Sequence, residues 1–152
     1  MNVKATLPPD PLARACADAM WKEDDASKGL GMEIAEIRPG HAVLTMTVKP
    51  DMVNGQRIAH GGFIFTLADS AFAFACNTHN ERAVAAQCNI TFIQPGKLGD
   101  LLVATAREIS RSGRSGIYDV RVTVGDVVIA EFRGHSRTIG GTWLPVAETE
   151  AK

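Results

Sequence analysis

Between Met32 and Lys49 the apolar residues fall on alternate positions. Ala42, Leu44, Met46 and Val48 stand on one face and Val43, Thr45, Thr47 and Lys49 on the other, with Ile34 and Ile37 ahead of a Pro39-Gly40 turn. A period of two separates the faces of an extended chain, so this stretch predicts a β-hairpin. Upstream the period is helical: Leu12, Ala15, Cys16, Ala19 and Met20 recur at three- and four-residue steps. With Asp10 as N-cap and Pro11 at the first helical position, an amphipathic helix is predicted over about 11–22, covering an edge or end of the fold. Downstream, Ala83 to Ile93, Leu101 to Ile109, Ser115 to Val124 and Val127 to Thr138 read as strands. The last two are joined through Gly125-Asp126, where glycine suits the first central position of a tight hairpin. Residues 49–59 read as loop and 140–152 as a C-terminal tail.

A different pattern lies between the hairpin and the four strands. His60-Gly61-Gly62 opens a helical segment to about Asn77, and from Phe63 to Cys76 it contains no Lys, Arg or Glu. Phe63, Ile64, Leu67, Ala68, Ala71, Phe72, Phe74 and Ala75 cover nearly every direction around that helix. A helix apolar on all sides must be wrapped by protein. One antiparallel β-sheet curled around it as a central α-helix satisfies the order helix, two strands, helix, four strands, which is an α+β fold.

Composition narrows the class. A chain of 152 residues with 45% hydrophobic and 22% charged residues is one ordinary globular domain, 1–152. A formal charge of −1 argues against nucleic acid as a partner, because a phosphate-tracking surface needs a basic excess. The longest apolar stretch is broken by Thr66, Asp69 and Ser70, so no membrane span is expected. Residues 1–9 lack an apolar leader core, and three widely spaced cysteines, Cys16, Cys76 and Cys88, suit a reducing compartment. Both point to a cytoplasmic protein. The four histidines show no metal-ligand spacing, and there is no phosphate-cradling P-loop, so neither metal nor cofactor is expected.

Two features carry chemistry. Asp69 is the only ionisable residue of the apolar helix, and burying a carboxylate costs several kcal/mol unless something compensates. The bland alternative is that Thr66, Asp69, Ser70 and Asn77 form a thin solvated stripe. The Gly61-Gly62 pair after His60 leaves the first N–H groups of the helix uncovered, where its dipole favours a developing oxyanion. Gly61 and Asp69 are eight positions apart, about 12 Å along the helix. One carbonyl cannot touch both. A shared substrate therefore needs Gly61 from one chain and Asp69 from another, in a dimer with two sites.

Val53-Asn54-Gly55, His60-Gly61-Gly62, Leu67-Ala68-Asp69, Phe92-Ile93-Gln94-Pro95 and Gly99-Asp100 together resemble the hotdog-fold acyl-CoA thioesterases, most closely those of phenylacetic acid degradation. The resemblance spans roughly residues 30 to 139. It implies the hotdog fold, a homotetramer built as a dimer of dimers with active sites at the dimer interface, and an acyl-CoA substrate, of aryl-acyl type such as phenylacetyl-CoA. It also implies Asp69 as nucleophile or general base, Gly61 N–H as the group polarising the thioester carbonyl, and Asn54 and His60 as positioning residues. Some members carry a hydroxyl residue early in the strand after the helix, where this chain has Ala83, Ala85 and Ala86. Gly62 and basic residues are candidates for coenzyme A: Arg111 and Arg114 in a polar turn, and His135 and Arg137, which share a strand face with Arg133. A fatty acyl-CoA thioesterase for medium or long chains and a non-catalytic acyl-CoA sensor are the competing readings.

Overall fold

The computed structural model describes residues 7–146. Helix α1 (Pro9–Lys22) and a short helix α2 (Asp25–Gly29) precede strands β1 (Glu33–Arg38) and β2 (His41–Thr47). A single 3-10 turn (Pro50–Met52) leads to α3 (Gly61–Cys76), followed by β3 (Ala83–Phe92), β4 (Leu101–Ser112), β5 (Ser115–Val124) and β6 (Val127–Thr138). The strands form one six-stranded sheet in the order β1-β2-β4-β5-β6-β3, every neighbouring pair antiparallel. β3 crosses over to lie beside β6, so its other edge has no strand partner among the described residues. α3 packs against all six strands, as its apolar circumference requires.

Alternation in the strands builds the inner face. Ala42, Leu44 and Met46 of β2, Leu102, Ala104 and Ala106 of β4, and Tyr118, Val120 and Val122 of β5 are all buried against α3. Alanines at the sheet centre leave room for the phenylalanines of the helix. Phe72 meets Tyr118 and Phe132 with ring centroids 5.6 and 5.9 Å apart, and Phe65 meets Phe132 at 5.5 Å. Each such ring contributes roughly 1.5–3 kcal/mol on burial. Gly134 of β6 fits the same pattern, because a Cβ there would stand 2.8 Å from three carbons of the Phe72 ring. Neither buried group can move aside freely, so Gly134→Ala should destabilise the protein by about 1–3 kcal/mol in denaturant unfolding.

Three local expectations change. α1 begins at Pro9 with Pro8 as N-cap and no side-chain cap; Asp10 lies inside the first turn, where its charge meets the helix dipole. A proline at the first position already sets the entry angle without a capping side chain. α2 was not anticipated: Asp24 caps it by accepting from the Ser27 N–H at 2.9 Å and the Ser27 hydroxyl at 2.7 Å, but five residues are too few to display a period. The stretch expected as tail is anchored over residues 139–144. The Ile139 N–H donates to the Arg82 carbonyl and the Arg82 N–H to the Gly141 carbonyl, at 2.9 and 3.1 Å. Residues 147–152 lie outside the described residues.

Candidate active site

α3 turns the sequence pattern into a site. Asp69 is half-buried and lines a cavity of about 390 Å³ whose other walls include Met20, Phe72, Ala83, Val84 and Trp143. Burial, with no hydrogen bond to offset it, holds the Asp69 carboxyl above its ordinary value. The other polar side chains of this helix are hydrogen-bonded or buried. The Thr66 hydroxyl donates to the Gly62 carbonyl at 2.7 Å, Ser70 Oγ lies 2.8 Å from buried Ser27 Oγ, and Asn77 is 3% exposed. Asp69 is a carboxylate in a mostly apolar wall, and a carboxylate so placed can accept a proton or attack a carbon. Ala83 and Ala85 line the cavity without offering a hydroxyl.

The opposite end of α3 supplies donors. His60 is the N-cap, its Nδ1 accepting from the Gly62 N–H at 2.9 Å. The neutral imidazole then carries its proton on Nε2. Because Gly62 spends its N–H on His60, the uncovered donor of this turn is Gly61, whose N–H finds no backbone acceptor among the described residues. A Cβ on Gly61 would stand 2.9 Å from Phe92 Cζ, so glycine here also admits the Phe92 ring. Asn54 Oδ1 is engaged by the N–H groups of Gln56 and Ile58 at 3.0 and 3.3 Å, which fixes the turn and leaves the amide nitrogen available. Asn54, Gly61, Phe92 and Gln94 line one cavity of about 460 Å³.

Asp69 and Gly61 thus lie on one helix but line different cavities. The arginines are also regrouped. Arg114 and Arg137 line a single concavity of about 600 Å³, and Arg82 joins them from the loop before β3. Arg111 instead lies 3.6 Å from Glu108, a carboxylate that also accepts from the Tyr118 hydroxyl at 2.8 Å. His135 shares the outer face of β6 with Arg133 and Arg137 but lines none of these three cavities. Arg133 is held by Asp119 through bonds of 2.6 and 2.9 Å. Sequence reasoning missed Arg82 and Trp143. A lone arginine before a strand and a tryptophan beyond the last strand carry no motif, although Trp143 was a visible large apolar residue in a polar tail.

Other nucleophiles are quiet. Burial pushes the Cys76 thiol up to about 12, so it stays protonated at neutral pH. Among the described residues no cluster of three or more His, Cys, Asp or Glu could hold a metal ion. Among the described residues no helix is long and apolar enough to cross a membrane.

A six-stranded antiparallel sheet around an apolar helix is the hotdog thioesterase fold, and the chain belongs to the thioesterase superfamily, whose family profile matches residues 56–131. Its relatives sharpen the class. The acyl-coenzyme A thioesterase PaaI of Escherichia coli K12 is 46% identical over 127 residues, covering 83% of this chain and 91% of the relative. The structure of the E. coli PaaI protein from the phenylacetic acid degradation operon superposes with a TM-score of 0.87 at 43% identity, covering 89% of this chain and 99% of the other. A hypothetical thioesterase of Streptococcus pneumoniae with coenzyme A matches at TM-score 0.70 and 26% identity, covering 73% and 90%.

Proposed function

We propose that this chain is an acyl-CoA thioesterase that hydrolyses aryl-acetyl thioesters at Asp69. The observation that carries the reading is an unpartnered carboxylate in an apolar wall, on the same helix as a free glycine N–H. The names of the relatives supply the substrate class: one is an acyl-coenzyme A thioesterase, and its structure comes from a phenylacetic acid degradation operon. Asp69 either takes a proton from a water that adds to the thioester carbon, or adds to that carbon itself to give an anhydride that water opens. By both routes the C–S bond breaks, the coenzyme thiolate leaves and takes up a proton, and the acid is released. The Gly61 N–H stabilises the negative carbonyl oxygen. His60 Nε2–H and the Asn54 amide orient substrate or water beside it.

The chain acts as one catalytic domain, in the cytoplasm, as dimers paired into a tetramer. Support comes from the separate cavities of Gly61 and Asp69 and from the open edge of β3, where Val84 and Phe92 are 47% and 50% exposed. An unpaired edge flanked by apolar side chains is a template for a second copy. A panel of acyl-CoAs assayed with a thiol reagent tests the activity. Turnover led by phenylacetyl-CoA is expected. No turnover of any member rejects catalysis in favour of acyl-CoA binding, and a ranking led by long chains rejects the aryl assignment.

Arg114 and Arg137 are the proposed grip on the coenzyme phosphates. Hydrogen bonds to charged groups contribute about 1.5–3 kcal/mol each, so Arg114→Gln with Arg137→Gln should raise KM about tenfold or more and change kcat little. The same loss should be mimicked in part by added salt. An unchanged KM in the double variant places the phosphates elsewhere.

A further inference from the structure

We propose that Trp143 sets the length of acyl group this enzyme accepts, by holding its indole across the far end of the Asp69 cavity. This rests on the reading of that cavity as the acyl site. The cavity follows α3 from Asp69 past Phe72 and Ala73 to Cys76 and Asn77. Eight residues of helix make it about 12 Å long. Trp143 stands at the Asn77 end, because its Nε1–H donates to Asn77 Oδ1 at 2.9 Å. A compact acyl group bonded near Asp69 stops short of the indole, whereas a long chain running along α3 meets it.

The wall is held from several sides. Asn77 is itself fixed: its amide donates to the Ala73 and Ala83 carbonyls at 2.8 and 3.1 Å, and its Oδ1 accepts from the Ala83 N–H at 2.9 Å. Asn80, in the left-handed region at φ 57, turns its Oδ1 to the N–H groups of Trp143 and Leu144 at 3.0 and 2.9 Å. The Arg82 Nε–H donates to the Thr142 carbonyl at 3.0 Å, and its guanidinium carbon lies 4.0 Å from the indole centroid. Displacing the ring means breaking these bonds and the cation–π contact together.

The test compares kcat/KM for phenylacetyl-, hexanoyl-, octanoyl- and dodecanoyl-CoA in wild type, Trp143→Phe and Trp143→Ala. One added methylene against a fixed wall changes rates by 10-fold or more, so removing the wall should raise the dodecanoyl-to-phenylacetyl ratio by about tenfold in Trp143→Ala, with a smaller rise in Trp143→Phe. A loss of fold integrity would lower all substrates together and leave the ratio in place. If Trp143→Ala does not fold, Trp143→Phe, which keeps most of the ring packing, decides. An unchanged ratio in an active variant overturns the role of Trp143 and leaves the thioesterase reading intact. A wild-type protein that hydrolyses no member overturns both.

Discussion

Asp69→Asn should lower kcat/KM for acyl-CoA by about 10²–10⁴-fold while binding and folding survive, because the amide keeps the shape and loses the basic oxygen. The pH profile tests the same atom. Burial raises the Asp69 carboxyl above its usual range, so the acid limb of kcat/KM lies above pH ~3.9 and is absent from whatever activity the variant retains. Stability should move in the opposite sense to activity. A carboxyl with a raised folded value binds protons more tightly folded than unfolded, so its stabilising contribution is complete below the unfolded value and is lost as pH rises through the folded one. At neutral pH the wild type carries that penalty and Asp69→Asn does not. The variant should be the more stable protein at pH 7, by a margin that shrinks on acidification. A folded Asp69→Asn protein with near-normal turnover rejects the assignment.

Mixing two dead variants should restore activity. Asp69→Ala removes the carboxylate, and Gly61→Ala sets a methyl beside the oxyanion donor; its Cβ needs Phe92, 50% exposed, to yield at the ring tip, so folding should survive. Each variant alone should be nearly inactive. After dissociation and reassociation, a mixed dimer has one site with both defects and one with neither. Random pairing makes half the dimers mixed, so activity should return to roughly a quarter of wild type per subunit. Subunit exchange is verified first by co-purification of differently tagged chains. With exchange demonstrated, an inactive mixture excludes a site built from Gly61 of one copy and Asp69 of the other.

The helix at the centre was legible because its signal was an absence: no Lys, Arg or Glu from Phe63 to Cys76 makes Asp69 conspicuous. The strands were legible through their period of two, and β5 and β6 fall where the alternation put them. The grouping of arginines was not legible. Arg82 precedes β3, Arg114 sits between β4 and β5, and Arg137 is next to last in β6, and the crossover that lays β3 beside β6 brings them to one concavity. The place of Trp143 was not legible for a related reason. A strap of a few residues has no period, and its bonds run to Asn80 and Asn77, 63 and 66 residues back in sequence. Arg111 and His135, coenzyme candidates from the sequence, stand apart from that concavity: Arg111 is beside Glu108, and His135 lines none of the three cavities.

The strand order also governs how the chain is made. On a ribosome α3 emerges before β4, β5 and β6, the strands that bury most of it, and β3 emerges before β6, the strand it pairs with in the sheet. At roughly 5–20 residues per second the most apolar segment of the chain waits several seconds for its cover. During that interval a helix with four phenylalanines and an unpaired strand stand exposed in the nascent polypeptide. Vectorial synthesis therefore leaves α3 with β1 and β2 as its first cover, and the rest of its apolar surface waits for the strands that follow it.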